Sequence, residues 1–336
     1  METVLETTTP PPPAPPRRPL SLPLLLAKYG TIFGLVVMCV VFSAMAPEAF
    51  PTLSNALNVL NQASLAMIIS GGLTVAMIVG EFDMSIAFAA SFEGVLVTGL
   101  MVHQGLPVVP AIIVVLACGG LIGAINGAIV TKIGVNSVIG TLGVGTIVIG
   151  LNYAYSAGAP IAFGVPDSFL DIALGRSFWG VIPNNVLIMA VVMGLLWVLV
   201  ERTSIGQSIQ AVGGNPVAAR LSGIRVDRIK IFGFVVAGVC SALTGILLAS
   251  ALGSGTTSAA DSYLMTAFAV VFLGSATLRD GEFHILGTVF GGLIIAVGFN
   301  GLAIFGAPTF YQYVFQGAIL IVAVGLSSLG RRYAKG

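Results

Sequence analysis

Ten apolar stretches set the limits on what this chain of 336 residues can become. They fall at 29–46, 55–79, 85–102, 108–131, 137–157, 185–201, 230–251, 265–278, 284–304 and 310–329. Most reach the roughly 18 to 20 residues that a helix needs to cross a bilayer core. In hydrocarbon each backbone N–H and C=O has to find its partner inside the spanning structure, so only helices and closed barrels cross. A barrel strand would alternate apolar and polar residues, whereas these runs are continuous. With 57% hydrophobic and 8% charged residues, the chain falls far below the roughly 25% charge of a soluble domain. The expected fold is all-α: a polytopic membrane helical bundle of about ten transmembrane segments. The stretch 265–278 is short for a crossing, so some segments are expected to be broken or partial.

An even number of crossings leaves both termini on one side of the membrane, and the cations choose the side. Of the 14 Lys and Arg residues, Arg176 alone falls in an outer loop when the N-terminus is placed inside. Both termini are therefore expected to be cytoplasmic. Residues 1–28, which contain "TTTPPPPAPPRRP", read as a disordered proline-rich cytoplasmic tail. Residues 29–330 read as the transmembrane domain and 331–336 as a short basic cytoplasmic tail. Arg17, Arg18 and Lys28 ahead of an apolar run, followed by Ala44-x-Ala46, also fit a cleaved signal peptide. The long polar lead and the length of the run speak against cleavage. A net charge of +1 gives no reason to expect nucleic acid as a partner.

The 43 glycines are about twice ordinary usage. "GGLIGAINGAIV" places Gly119, Gly123 and Gly127 on one helix face, and Gly287 and Gly291 repeat the spacing. Small residues let helices approach closely in a membrane, and packing within the chain is expected ahead of a dimer seam. Cys39, Cys118 and Cys240 all lie inside apolar runs, where cysteine serves as a small packing residue. His103 and His284 have no Cys or carboxylate at ligand spacing, so no metal is expected. "GSGTTS" at 253–258 reads as an outer loop, with no catalytic set specified around it. There is no G-x-x-x-x-G-K-[ST] loop, and no cofactor is expected. If such a membrane chain drives transport, the energy has to come from a partner or from a coupled ion.

Acids beside or inside apolar spans are costly and often functional. An ion-coupled secondary transporter of a small polar solute would use Glu81, Asp83 or Glu93. Asp83 reads first as a helix N-cap after a break at Gly80, near the inner surface, while Glu93 lies deeper and is the better candidate for a buried acid. Asn126, Asn152 and Asn300 offer uncharged hydrogen-bonding groups within spans. They suit a translocation path for a polar solute and, equally, helix-to-helix bonding.

The largest inner loop, 202–229, leads into "GGNPVAARLSGIRVDRIK" at 213–230. Asn215 is a good N-cap, Pro216 suits the first helical position, and Gly223 suits the left-handed residue that ends a helix. The pattern predicts about two turns of helix with Val217 and Leu221 on one face and Ala218 beside them. Two turns alone are marginal in water, so this helix needs something to lie on. Asp227 sits near the start of the next span, where a negative charge favours the helix dipole. Two readings stand: an ordinary loop kept soluble by Arg220, Arg225, Arg228 and Lys230, or a surface helix shaped for another protein's groove.

"TSIGQSIQAVGGNPVAARLSGIRVDRIKI" at 203–231 resembles the cytoplasmic coupling segment of ribose-type ABC transporter permeases, with Gly214–Asn215, Ala218–Ala219 and Ser222–Gly223–Ile224 matching the family pattern. "GEFDMSIAF" at 80–88 resembles that family's Gly-x-Asp-Leu-Ser segment. "AFAVVFLGSATLRDGEFHILGTVFGGLI" at 267–294 and "YQYVFQGAILIVAV" at 311–324 resemble its C-terminal half. Phe82, Met84 and Phe88 depart from the usual residues around Asp83, and "LRDGEF" at 278–283 carries more charge than the usual turn. The resemblance implies the transmembrane subunit of a binding-protein-dependent importer of the bacterial inner membrane, passing a ribose-like monosaccharide or related polar molecule. It implies as partners cytoplasmic ATP-binding subunits, a soluble solute-binding protein received by outer loops that include 158–184 and 252–264, and a second permease copy. It places the ATPase-coupling contact at Gly213, Gly214, Asn215, Pro216, Ala218, Ala219, Arg220, Leu221, Ser222 and Gly223.

Overall fold

The computed structural model describes residues 22–277 and 281–335. Most of the proline-rich tail, with Arg17 and Arg18, lies outside the described residues, as do Arg279 and Gly336. Most of the described chain is helical: α1 Leu22–Met45, α2 Leu53–Ile78, α3 Ile86–Val102, α4 Val108–Ala128, α5 Ser137–Ser156, α6 Asp167–Leu174, α7 Asn184–Arg202, α8 Ser204–Gly214, α9 Pro216–Leu221, α10 Val226–Leu252, α11 Tyr263–Ser275, α12 Ile285–Ile304 and α13 Phe310–Lys335. A π turn, Ile129–Ile133, extends α4. A two-stranded hairpin, β1 Arg176–Ser177 with β2 Ile182–Pro183, sits before α7.

Among the described residues six helices are long and apolar enough to cross a membrane: α2, α4 with its π turn, α5, α7, α10 and α12. Shorter apolar helices occupy Gly30–Met45, Ile86–Val102, Tyr263–Ser275 and Phe310–Val322. The ten apolar stretches thus all become helices, and the eighth is indeed short. Helix α1 already includes residues 22–28 of the proline-rich stretch, and α13 continues through Lys335. The two large loops also hold structure: α6 and the hairpin in 158–184, α8 and α9 in 202–229.

Local chemistry explains the boundaries. The Thr52 side chain accepts from Asn55 N at the start of α2. Asn136 accepts from Val138 N at 3.0 Å and Ile139 N at 3.4 Å to start α5. Gly134 and Gly253 take the left-handed conformation that ends the helices before them.

Helix α10 runs through the middle, packed on α2, α3 and α4. The α4 glycines make that approach possible. A Cβ on Gly123 would overlap the Phe234 carbonyl oxygen, and one on Gly127 would lie 2.7 Å from Ile231 Cα. Gly287 and Gly291 do the same between α12 and α11, against Gly274 and Val270. Both stripes are seams within the chain, as the sequence suggested. Outward faces of α1, α4, α5, α7 and α13 expose Val36, Leu121, Ile147, Leu195 and Ile321, a surface suited to lipid.

Candidate functional site

Two regions concentrate the polar chemistry of this apolar bundle. The first is the elbow formed by α8 and α9. Thr203 ends α7 and starts α8, its hydroxyl oxygen accepting from Gly206 N at 3.0 Å. Gly206, Ile209 and Val212 form the buried face of α8. Gly213 rests so closely on the last turn of α2 that a Cβ there would overlap the Ile78 carbonyl oxygen. Asn215 then turns the chain in an extended conformation. Its N–H closes α8 on Ala211 O, and its Oδ1 accepts from Val217 N at 3.1 Å and Ala218 N at 3.0 Å to open α9. Pro216 holds the first helical position, and Gly223 ends the motif with φ +85°. The capping expected from the sequence is thus the capping found.

Among the ten residues expected at the elbow, Ala219 is buried and the others are exposed. Ala219 seats α9 on the bundle, which leaves Val217 69% and Leu221 85% exposed. The apolar pair therefore points away from the chain. What holds α9 is Ala219, the Asn215 cap and the Arg220–Asp227 ion pair at 3.2 Å. Asp227 also meets Lys132 at 3.4 Å, tying α4 to the same end. Beside them the half-buried Lys230 of α10 pairs with Glu81.

The second region runs from that end into the core. Asp83 is 1% exposed. Its Oδ1 accepts from Ser85 N at 2.9 Å and from the Ser85 hydroxyl at 2.6 Å, and Asn126 Nδ2 donates to both carboxylate oxygens at 3.4 Å and to Ser85 Oγ at 2.8 Å. Asp83 and Asn126 are therefore one cluster, and Asp83 organises the turn into α3. Glu93 is fully buried in the seam of α3, α4 and α10. Ser241 Oγ is 2.8 Å from its Oε2, and Oε1, which has no hydrogen-bond partner, faces the space a Gly119 side chain would need. Asn152 donates to Thr257 O at 2.9 Å and keeps a buried, unpartnered Oδ1. Asn300 exchanges amide bonds with Asn55 at 2.9 and 3.0 Å. The five candidate path residues thus occupy four separate places. Residues not singled out from sequence also matter: Ser91, whose hydroxyl donates to Asp261 at 2.8 Å, and Ala260, whose N–H donates to Ser91 Oγ at 3.0 Å. Among the described residues no group of three or more His, Cys, Asp and Glu side chains is placed to hold a metal.

Residues 55–324 match the family described as "Branched-chain amino acid transport system / permease component". The chain belongs to this family. It is a multi-pass membrane permease of the ribose-type ABC group. The ribose import permease protein of Haemophilus influenzae is 35% identical over 295 residues, covering 88% of this chain and 91% of the relative. The D-allose transport system permease protein of Escherichia coli is 32% identical over 323 residues, covering 96% of this chain and 98% of the relative. The galactose/methyl galactoside import permease protein of Haemophilus influenzae is 30% identical over 327 residues, covering 93% and 96%. No solved structure matches the chain.

Proposed function

We propose that this permease is the transmembrane subunit of an ABC importer that carries a monosaccharide inward, driven by ATP hydrolysis on a cytoplasmic partner. The observation that carries the reading is the outward-facing pair Val217 and Leu221 on a helix fixed at both ends. Burying such side chains contributes about 1.5–3 kcal/mol each, and a pre-formed helix loses little entropy on docking. The elbow, from Gly213 to Gly223, is the ATPase contact. The chain crosses the membrane ten times with both ends inside. The pattern of ends supports this: Lys132, Arg220 and Lys230 meet at the elbow end, while Arg176 sits in the 158–184 region at the other. There Phe163 and Trp179 stand 93% and 99% exposed, where a binding protein would dock. Sugar selectivity rests on that soluble partner, and a second permease copy completes the path.

The test is reconstitution of the permease with its ATPase and binding protein in liposomes. Uptake of labelled D-ribose, D-allose or D-galactose should require ATP inside. Uphill uptake by the permease alone, driven by an ion gradient, would instead favour an ion-coupled carrier built on Glu93. Cysteine at Ser204 should label from the cytoplasm and at Ser168 from outside; the reverse pattern overturns the orientation.

A further inference from the structure

The stretch 253–262 reads as an outer loop in sequence, yet it is folded into the bundle. Gly255 pairs with Ile161 through two backbone bonds of 2.9 Å and packs on Gly94, Val95 and Thr98 of α3. Asn152 of α5 donates to Thr257 O. Further down, Ser91 holds both Ala260 N and the Asp261 carboxylate. Ser91 lies eleven residues before the end of α3 at Val102, so Asp261 sits about 16 Å below that end at 1.5 Å per residue. Helix α11 therefore begins deep in the bundle, and its 13 residues complete only about 20 Å of the crossing.

Irregular backbone at membrane depth persists where it is buried in protein or lines a watery cavity. Broken helices of this kind mark solute sites in transporters. Six of the ten residues 253–262 are Ser, Thr or Asp, and Asp261 is the single charged residue between Lys230 and Arg279. Above Ser91 the packing on α3 is close at Gly255 and leaves a gap beside it. A cavity of about 10 Å³ remains between Ser91, Gly94, Gly245, Ser254 and Thr256, roughly one probe sphere of water. The unpartnered Oδ1 of Asn152 is buried at the same segment. On the far side Ser262 and Met265 are exposed and Asp261 is half-exposed. A carboxylate turned toward lipid is expensive, so this face meets water or a polar solute.

We infer that Ser254–Ser262 and the open face of α11 are the surface a solute slides along within the membrane. The Asp261 carboxylate and the Ser262 hydroxyl accept and donate hydrogen bonds to its hydroxyl groups. The inference rests on the import reading for the class of solute, a polyhydroxylated small molecule, though not for the position of the route.

The test uses the full complex in liposomes. In a background with Cys39, Cys118 and Cys240 replaced by Ala, Ser262→Cys should react with a charged, membrane-impermeant methanethiosulfonate in at least one nucleotide state. That modification should cut D-ribose, D-allose or D-galactose uptake by tenfold or more while ATP hydrolysis stimulated by the binding protein continues. Asp261→Asn should lower uptake about tenfold with hydrolysis retained and change the ranking of the three sugars; Ser262→Ala serves if Asp261→Asn fails to fold. Reaction only with a lipid-soluble maleimide overturns the route. So does Asp261→Asn uptake within twofold of the wild-type. Labelling by the charged reagent with no sugar uptake by the unmodified complex would keep the route and overturn the solute class.

Discussion

The elbow helix makes its own stability measurable at one atom, Asn215 Oδ1. That oxygen serves Val217 N and Ala218 N, which a six-residue helix cannot satisfy internally. Asn215→Ala removes both bonds at a cost of about 1 kcal/mol, or roughly fivefold in an equilibrium constant. Asn215→Asp keeps an equivalent oxygen and adds a charge that the helix N-terminus favours, so it should behave like the wild-type. At the other end Gly223 has φ +85°, and Gly223→Val costs about 1–2 kcal/mol for a β-branched residue held left-handed. The two ends share no partner, so the effects should add, giving Asn215→Ala with Gly223→Val about 2–3 kcal/mol, a loss of roughly 30- to 150-fold. The assay is titration of the cognate ATPase subunit onto the permease in nanodiscs, with thermal unfolding of the permease as control. Since Ala219 is the one buried residue of α9, the melting temperature should hardly move. Wild-type affinity for Asn215→Ala, or equal damage from Asn215→Asp, would refute the argument that a pre-formed α9 is the docking element.

Gly123→Ala should lower the melting temperature in detergent, because its Cβ meets the Phe234 backbone and overpacking costs about 1–3 kcal/mol. Gly120→Ala, whose nearest neighbour is Val239 Cγ2 at 3.5 Å, should be neutral or stabilising, and equal effects would count against the seam. Glu81→Gln strands the half-buried Lys230 ammonium and should destabilise more than Asp227→Asn on the exposed ion pairs; adding Lys230→Met should recover stability. Gly213→Ala should cut uptake at least fivefold by lifting α8 off Ile78, whereas Gly214→Ala, with nothing within 4 Å, should leave it intact; matching behaviour of the two would remove Gly213 from the mechanism.

What could be read from sequence follows the range of the forces involved. Helix α9 was legible because Asn215, Pro216 and Gly223 act on their own neighbours. The outward turn of Val217 and Leu221 was not, since only the bundle decides that Ala219 is the seat. Glycine stripes on α4 and α12 announced a close approach, but α10 and α11 as partners are set by the whole fold. Helix α8 carries Ile205, Ile209 and Val212 at helical spacing, a signal diluted by Gly206, Ser208 and the closing glycines. The 253–262 segment has the composition of a surface loop, and its depth comes from Ser91, 170 positions from Asp261. Asn300 shows the same limit, its partner Asn55 lying 245 positions away.

The elbow and the buried segment are joined by packing rather than by charge. Gly213 bears on the backbone of Ile78, and the chain turns at Gly80 with φ +89°. Phe82 stacks on Phe268 of α11 at 6.3 Å between ring centroids. Helix α11 begins beside Asp261, where Ser91 holds the segment. A backbone-to-backbone contact at a glycine has no rotamer to absorb a displacement, and packed interfaces switch between arrangements rather than deform smoothly. The Lys132 and Arg220 ties to Asp227 are 63% and 68% exposed at the cation, so they contribute at most about 1 kcal/mol each. At 1 M salt the screening length falls to about 3 Å, which removes most of that while leaving the glycine and aromatic contacts in place. The ratio of sugar imported to ATP hydrolysed should therefore stay within twofold between low salt and 1 M salt in complexes that remain assembled. A collapse of that ratio, with assembly verified in the same samples, would show that the exposed ion pairs transmit the stroke and that the packed line from Gly213 to α11 does not.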